Sequence, residues 1–194
     1  MTALGALYIF VFLGLFSPGP NVILLTASGA RFGFKRTIPH ILGVALGVGI
    51  TSAITGLGIG AVILQYPQLR LVLSIVAALW IGYMALRLWR AATPQHVAVG
   101  QPFTFFQAVL FQWINPKVWA VAVAAMADLP NETPPINAAV ALGHAFAGLN
   151  LVVCLFWACF GHILAHLLNA PARYRIFMRI MAIFLLISIA MIFV

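Results

Sequence analysis

The chain is poor in charged residues, and above all in acidic ones. Only 6% of its 194 residues are charged, and its two acidic residues are Asp128 and Glu132. A soluble domain carries about 25% charged residues. Because 64% of this chain is hydrophobic, there is too little polar surface to cover a water-facing globule. The composition therefore predicts an integral membrane protein.

Cysteine is almost absent too. Cys154 and Cys159 stand five residues apart on one predicted helix, and so on different faces, which disfavours a disulfide between them. They do not form a CxxC redox pair and are best explained as apolar packing residues. His162 and His166 lie four apart, but a position at the membrane interface explains them better than a metal. The sequence predicts no metal, cofactor or nucleotide site.

The net charge of +8 does not indicate nucleic-acid binding. The basic residues fall at the ends of apolar segments, as the positive-inside rule predicts, and do not share one exposed face. If six spans alternate, eight of the ten bases lie on the cytoplasmic side and both termini are periplasmic. These eight are Arg31, Lys35, Arg36, Arg87, Arg90, Arg173, Arg175 and Arg179.

Apolar runs of about 20 residues mark spanning helices. The predicted spans are 4–29, 41–64, 69–88, 105–127, 136–155 with a continuation to about 164, and 177–194. We expect a single all-α transmembrane transporter domain over residues 1–194. Its halves, about 1–92 and 103–194, are joined by a polar linker at 93–102.

Proline interrupts the first and fourth spans at matching places. Pro18 stands in the first and Pro116 in the fourth, and Val-Ala-Leu-Gly at 44–47 recurs at 140–143 with nearly the same offset. Two units of three spans each must be inverted relative to one another. Paired interruptions in corresponding positions of two halves point to a transporter's binding site. The fold prediction is thus two inverted three-helix repeats, each with a broken first span.

Ser-Pro and Asn-Pro are signals for the start of a helix. Ser17 and Asn115 are expected to cap free amides, with Pro18 and Pro116 at the first helical position. Each break then places a helix amino end, with roughly half a positive charge, inside the membrane. Such ends attract an anionic group such as a carboxylate. The alternative is a plain proline kink tolerated by neighbouring helices.

Lys117 is the most costly residue for membrane insertion, at about 2.5–3.5 kcal/mol for a central position. It is expected to bind a substrate carboxylate or to brace carbonyls freed by the first break. Asn21, one turn past that break, is suited to either end of a zwitterion or to capping a carbonyl. The predicted substrate-binding residues are Ser17, Pro18, Gly19, Pro20, Asn21, Asn115, Pro116, Lys117 and Asn150.

Proton coupling has two candidate residues, His144 and Asp128. A histidine titrates near neutral pH, which suits a proton pathway, although a hydrogen-bonded packing residue is the commoner case. Asp128 lies near the outer end of the fourth span.

Small residues recur every four positions along the second span, at Gly43, Gly47, Thr51 and Thr55. This stripe predicts close helix packing.

The chain resembles the LysE/RhtB family of bacterial amino-acid exporters over nearly its whole length. The resemblance rests on Pro18-Gly19-Pro20-Asn21, the glycines of the second span, Trp80-Ile81-Gly82-Tyr83 to Leu86-Arg87, and Asn115-Pro116-Lys117. It implies a six-span inner-membrane carrier that expels amino acids or close derivatives, driven by the proton gradient. Several relatives have an acidic residue where this chain has Asn150, so we expect neutral substrates.

The leading prediction is therefore export of a small zwitterion by a non-enzymatic carrier, with membrane lipids as its surroundings and homo-oligomerisation left open. Three alternative functions fit the sequence less well. A membrane electron-relay or assembly protein needs matched cysteines in both repeats. A small ion channel has no need of Lys117. An intramembrane hydrolase needs a base beside Ser17.

Overall fold

The computed structural model of the chain describes residues 3–17, 19–59, 66–90, 101–126, 129–130, 132–167 and 170–190. Pro18, Asp128 and most of the predicted linker lie outside these residues. Within them the secondary structure is helical. The helices are α1 (Ala3–Phe16), α2 (Pro20–Phe32), α3 (Phe34–Gly56), α4 (Pro67–Trp89), α5 (Phe105–Ile114), α6 (Pro116–Ala125), α7 (Pro135–Leu167) and α8 (Pro171–Ala190).

Three of these helices, α3, α4 and α7, are long and apolar enough to cross a membrane. The pairs α1/α2 and α5/α6 are each bent, by 57° and 66°, and raise the number to five if each pair is one span. The described part of α8 includes Arg173, Arg175 and Arg179. Three charged residues within its length are too many for it to be counted as a membrane span with the others. The described helices thus support a multi-pass membrane protein, and the sixth span stays a prediction.

Helix starts follow local chemistry. Proline occupies the first turn of α2, α4 and α6, where its missing N–H costs nothing. Thr104 and Gln107 form a capping box at the start of α5, each accepting a hydrogen bond from the other's backbone N–H. Between α2 and α3, Gly33 adopts φ = 81°, a conformation that favours glycine.

Two helices begin earlier than the hydropathy pattern predicts. Helix α3 starts at Phe34 rather than at 41, and α8 starts at Pro171 rather than at 177. The added turns contain the bases Lys35, Arg36, Arg173 and Arg175. A backbone helix continues into polar surroundings as long as its hydrogen bonds are made, whereas hydropathy reports only the part that lies in hydrocarbon.

Helix α7 packs closely against α2 and α3 through small residues. A Cβ added at Gly29 of α2 would collide with the Ala158 carbonyl oxygen, and one at Gly161 of α7 would collide with that of Thr26. Small residues of this kind let helix backbones approach in lipid.

The glycines of α3 pack as their spacing predicts. A Cβ on Gly43 would meet Phe105 and Ala108, and one on Gly47 would meet Val109 and Gln112. A Cβ on Gly49 would meet Ala147 of α7, so α3 packs against both α5 and α7.

Large apolar side chains point outward along the described helices. Leu79 is 71% exposed, Phe106 is 74% exposed and Leu110 is 66% exposed. Such an apolar exterior would aggregate in water, and it is the surface that a lipid bilayer covers. Several polar side chains, among them Gln112, Asn115 and Asn150, are instead buried.

Candidate functional site

The second break has the local geometry that its sequence predicts. Asn115 lies in an extended conformation directly before α6, and its Oδ1 accepts a hydrogen bond from the Lys117 N–H at 3.3 Å. Pro116 occupies the first turn. The amino end of α6 therefore lies within the bent span and is capped by a side chain.

The first break is arranged differently from the prediction. Helix α2 begins at Pro20, its N-cap is Gly19, and no side chain caps it. The expectation that Ser17 caps the helix and that Pro18 opens it is therefore wrong. A proline disfavours helical geometry in the residue before it, so Pro20 keeps Gly19 extended and moves the helix start two residues onward.

Lys117 connects the two breaks. Its Nζ donates hydrogen bonds to the Ser17 carbonyl oxygen at 2.6 Å and to the Ser17 Oγ at 2.8 Å. The Ser17 hydroxyl in turn donates to the Gly14 carbonyl oxygen at 2.9 Å. Lys117 is half-buried, and Ser17 is exposed. The ammonium group thus braces a carbonyl at the end of α1, one of the two roles expected for it.

Side-chain amides form a network beside these contacts. Asn21 Nδ2 donates to Gln112 Oε1 at 2.8 Å, and Gln112 Nε2 donates back to Asn21 Oδ1 at 3.2 Å. Gln112 also donates to the Ala108 carbonyl oxygen at 2.9 Å, and Asn115 Nδ2 lies 3.5 Å from its Oε1. This fully buried glutamine holds the first break against the second.

Gln112 was missed by the sequence analysis. The available signal was a polar amide within the apolar run of the fourth span, three residues before Asn115. A buried amide of this kind is expected to be hydrogen-bonded, but its partner on another helix is not visible in the sequence.

A central cavity of about 20 Å³ lies between the breaks. Gly19, Asn21, Asn115, Lys117 and Asn150 line it, together with apolar side chains that include Cys154. The amino ends of α2 and α6 therefore meet at one cavity. Its volume is that of about one water molecule, so an amino acid can bind only after the helices move apart.

Asn150 reaches this cavity from α7. It is 3% exposed, and its Nδ2 lies 3.5 Å from the Val44 carbonyl oxygen of α3. The long contact leaves most of the hydrogen-bonding capacity of this amide available.

Of the two proton-coupling candidates, the structure describes His144, which lies away from this cavity. His144 is exposed on α7, with its Nδ1 2.9 Å from the Val140 carbonyl oxygen, and it is not on the cavity wall. Asp128 lies outside the described residues.

Cys154 and Cys159 are free thiols on α7, the first buried and the second exposed.

The described cavity wall offers an ammonium group, amides and the uncapped amino end of α2, and no carboxylate. Such a wall is suited to an anionic group carried by a small polar molecule. Among the described residues, no group of three metal-ligating side chains comes together.

The sequence model of the LysE type translocator family matches residues 12–194. Similar curated proteins include the cysteine/O-acetylserine efflux proteins of Escherichia coli strain K12 and Shigella sonnei strain Ss046. Each is 24% identical to this chain over 175 residues, which cover 89% of both sequences. No solved structure matches the chain.

Proposed function

The chain belongs to the LysE type translocator family, and we propose that it is a secondary transporter that exports small neutral amino acids or close derivatives across the bacterial inner membrane. The efflux of cysteine and O-acetylserine by relatives supports this substrate class. We further propose that the proton gradient drives export and that the fold is a pair of inverted three-span repeats.

The observation that carries the proposal is the double contact of Lys117 with Ser17 across the two breaks. The ammonium group of one bent span is held by the backbone of the other, at a cavity where two helix amino ends meet. A substrate carboxylate is a stronger partner for an ammonium group than a carbonyl or a hydroxyl. It would therefore displace Ser17 and occupy the amino end of α2.

Displacement of Ser17 supplies a link between binding and movement. With its ammonium on the substrate, Lys117 no longer ties the end of α1 to α6. The two bent spans can then separate, while the small-residue contacts of α7 with α2 and α3 allow sliding. A central cavity this small belongs to a closed conformation between two open ones.

The cavity wall favours neutral substrates. Its polar side chains are amides and one ammonium group, so a cationic side chain would find no carboxylate partner on the described wall. Asn150 is the amide at the position where several family members have an acid. We expect O-acetylserine or cysteine to be exported in preference to lysine.

The test of the proposed function uses purified protein in vesicles loaded with O-acetylserine, with efflux followed under an imposed proton gradient. Lys117→Ala should reduce efflux about 100-fold, because charge-assisted hydrogen bonds of about 3 kcal/mol are lost. Lys35→Ala is the matched control, since Lys35 is the other lysine of the chain and is exposed on α3.

Three results would contradict the proposal in different ways. Normal efflux by Lys117→Ala would remove this residue from the transport mechanism. Efflux that is the same with and without the gradient would reject proton drive. Preference for lysine over O-acetylserine would reject the neutral substrate class.

A further inference from the structure

A second and larger cavity lies at the other end of α2. It measures about 180 Å³, against about 20 Å³ for the central cavity. It lies where α2 and α4 end and where α3 and α5 begin. This volume has room for a molecule of several non-hydrogen atoms.

Two arginines share the wall of this cavity. Arg31 comes from the last turn of α2, and its Cζ lies 5.1 Å from the centre of the Phe32 ring. Arg87 comes from the last turn of α4, and its Cζ lies 6.0 Å from the centre of the Tyr83 ring. No acidic residue lies on the described wall. Two guanidinium groups at one cavity repel each other, and an anion placed between them relieves that repulsion.

His40 and Trp80, which line the same cavity, have buried polar atoms without a partner among the described residues. His40 is 2% exposed, and neither its Nδ1 nor the Nε1 of Trp80 hydrogen-bonds to any described residue. The His40 ring lies against the Phe103 ring, with the two ring centroids 5.0 Å apart. A buried polar atom without a partner costs about 1–3 kcal/mol. Because both residues line the cavity, they are candidates to hydrogen-bond a ligand held there.

Both cavities have lining residues on α2. Asn21 lines the central one and Arg31 lines the second, ten residues apart on one helix, which corresponds to about 15 Å. The bases Arg31, Arg36, Arg87 and Arg90 cluster at the end of the molecule that the positive-inside rule places in the cytoplasm.

We propose that the second cavity is a loading site, which binds the carboxylate of the amino acid from the cytoplasm before that molecule moves to the central cavity. Arg31 and Arg87 hold the carboxylate, and His40 and Trp80 hydrogen-bond the rest of the molecule. This inference rests on the proposed export function. An anionic lipid head group has similar charge, but the buried ring nitrogens of His40 and Trp80, two residues that line the cavity, favour a small molecule.

The first test measures uptake of O-acetylserine into inside-out vesicles made of phosphatidylcholine alone. Arg31→Gln and Arg87→Gln should each raise KM about tenfold, with the maximal rate nearly unchanged, because binding is lost equally in the ground and transition states. Arg36→Gln is the matched control, since Arg36 is exposed at the same end and does not line the cavity.

An unchanged KM in both arginine variants, with an active wild type, would overturn the loading site and leave the proposed function intact. An effect of Arg31→Gln that appears only when the vesicles contain phosphatidylglycerol would also overturn it, in favour of a lipid head group. Absence of export by the wild-type protein would instead overturn the proposed function.

The second test does not depend on transport. Equilibrium dialysis measures binding of radiolabelled O-acetylserine to the detergent-solubilised protein. Arg31→Gln should weaken this binding about tenfold, whereas Lys117→Ala should abolish only part of it. The thermal midpoint of each variant checks that it is folded. If Arg31→Gln leaves binding unchanged and Lys117→Ala abolishes it, all of the binding belongs to the central cavity. That result would overturn the loading site.

Discussion

The two proline breaks have related sequences but opposite designs. At the second break Asn115 caps the helix and Lys117 extends across the cavity, so this break is complete in itself. At the first break Gly19 provides no side-chain cap, and no described side chain accepts from the first-turn N–H groups of α2. One break supplies a cation and the other supplies open donors.

This difference indicates that the two breaks have separate roles in binding the substrate. A rigid, capped amino end holds Lys117 in place, whereas an uncapped amino end beside it is free to receive a carboxylate. We expect both ends to act together, because the carboxylate draws the ammonium group away from its contacts with Ser17 and the amino end of α2 adds about half a positive charge beside it. The predictions below test whether the two breaks differ in this way.

The largest effect after Lys117→Ala is expected from Gly19→Val. A Cβ at Gly19 would lie 2.9 Å from Lys117 Cδ and 3.0 Å from its Nζ, so the lysine must move and the small cavity fills. Overpacking costs about 1–3 kcal/mol, and we expect export to fall about tenfold or more. Gly148→Val is the control, since a Cβ at that glycine meets nothing within 4 Å. Equal efflux by both variants would reject the close fit of Lys117 beside Gly19.

Gln112→Leu should come next, and it acts on stability as well as on export. The substitution leaves the Asn21 side chain without its partner at a cost of about 1–3 kcal/mol, seen as a lower thermal midpoint. The double variant with Asn21→Leu should recover part of that loss, because both polar partners are then removed. Gln68→Leu, at an exposed glutamine, is the control. No recovery in the double variant would contradict the pairing of these two amides.

A smaller difference separates Asn115→Ala from Ser17→Ala. Loss of the Asn115 cap should cost about 1 kcal/mol of stability. Ser17→Ala should cost less, because the backbone carbonyl of that residue still accepts from Lys117. Thermal unfolding of the two variants side by side measures the order, and the reverse order would mean that the first break is the capped one.

The smallest effect is expected from His144→Gln. His144 is exposed and bonded to the carbonyl of its own helix, outside the central cavity. The dependence of efflux on pH should therefore stay as in the wild type, measured on both sides of neutrality. A flattened profile would return this histidine to the proton pathway.

Sequence reasoning located the breaks because proline chemistry and hydropathy act locally. It also singled out Lys117, since a lysine in an apolar run is costly wherever its partners lie. It placed the cap of the first break on Ser17, because it weighed Ser17-Pro18 alone and overlooked the effect of Pro20 on Gly19. Gln112 and His40 were missed for another reason. Their roles depend on residues of distant helices, which apolar periodicity does not bring together.

The position of a bound substrate tests the central claim most directly. A cryo-electron microscopy structure of the protein with O-acetylserine should place a carboxylate about 3 Å from Lys117 Nζ and from the first-turn N–H groups of α2, with the Lys117–Ser17 hydrogen bonds broken. A carboxylate found away from both breaks, with Lys117 still on Ser17, would contradict the account.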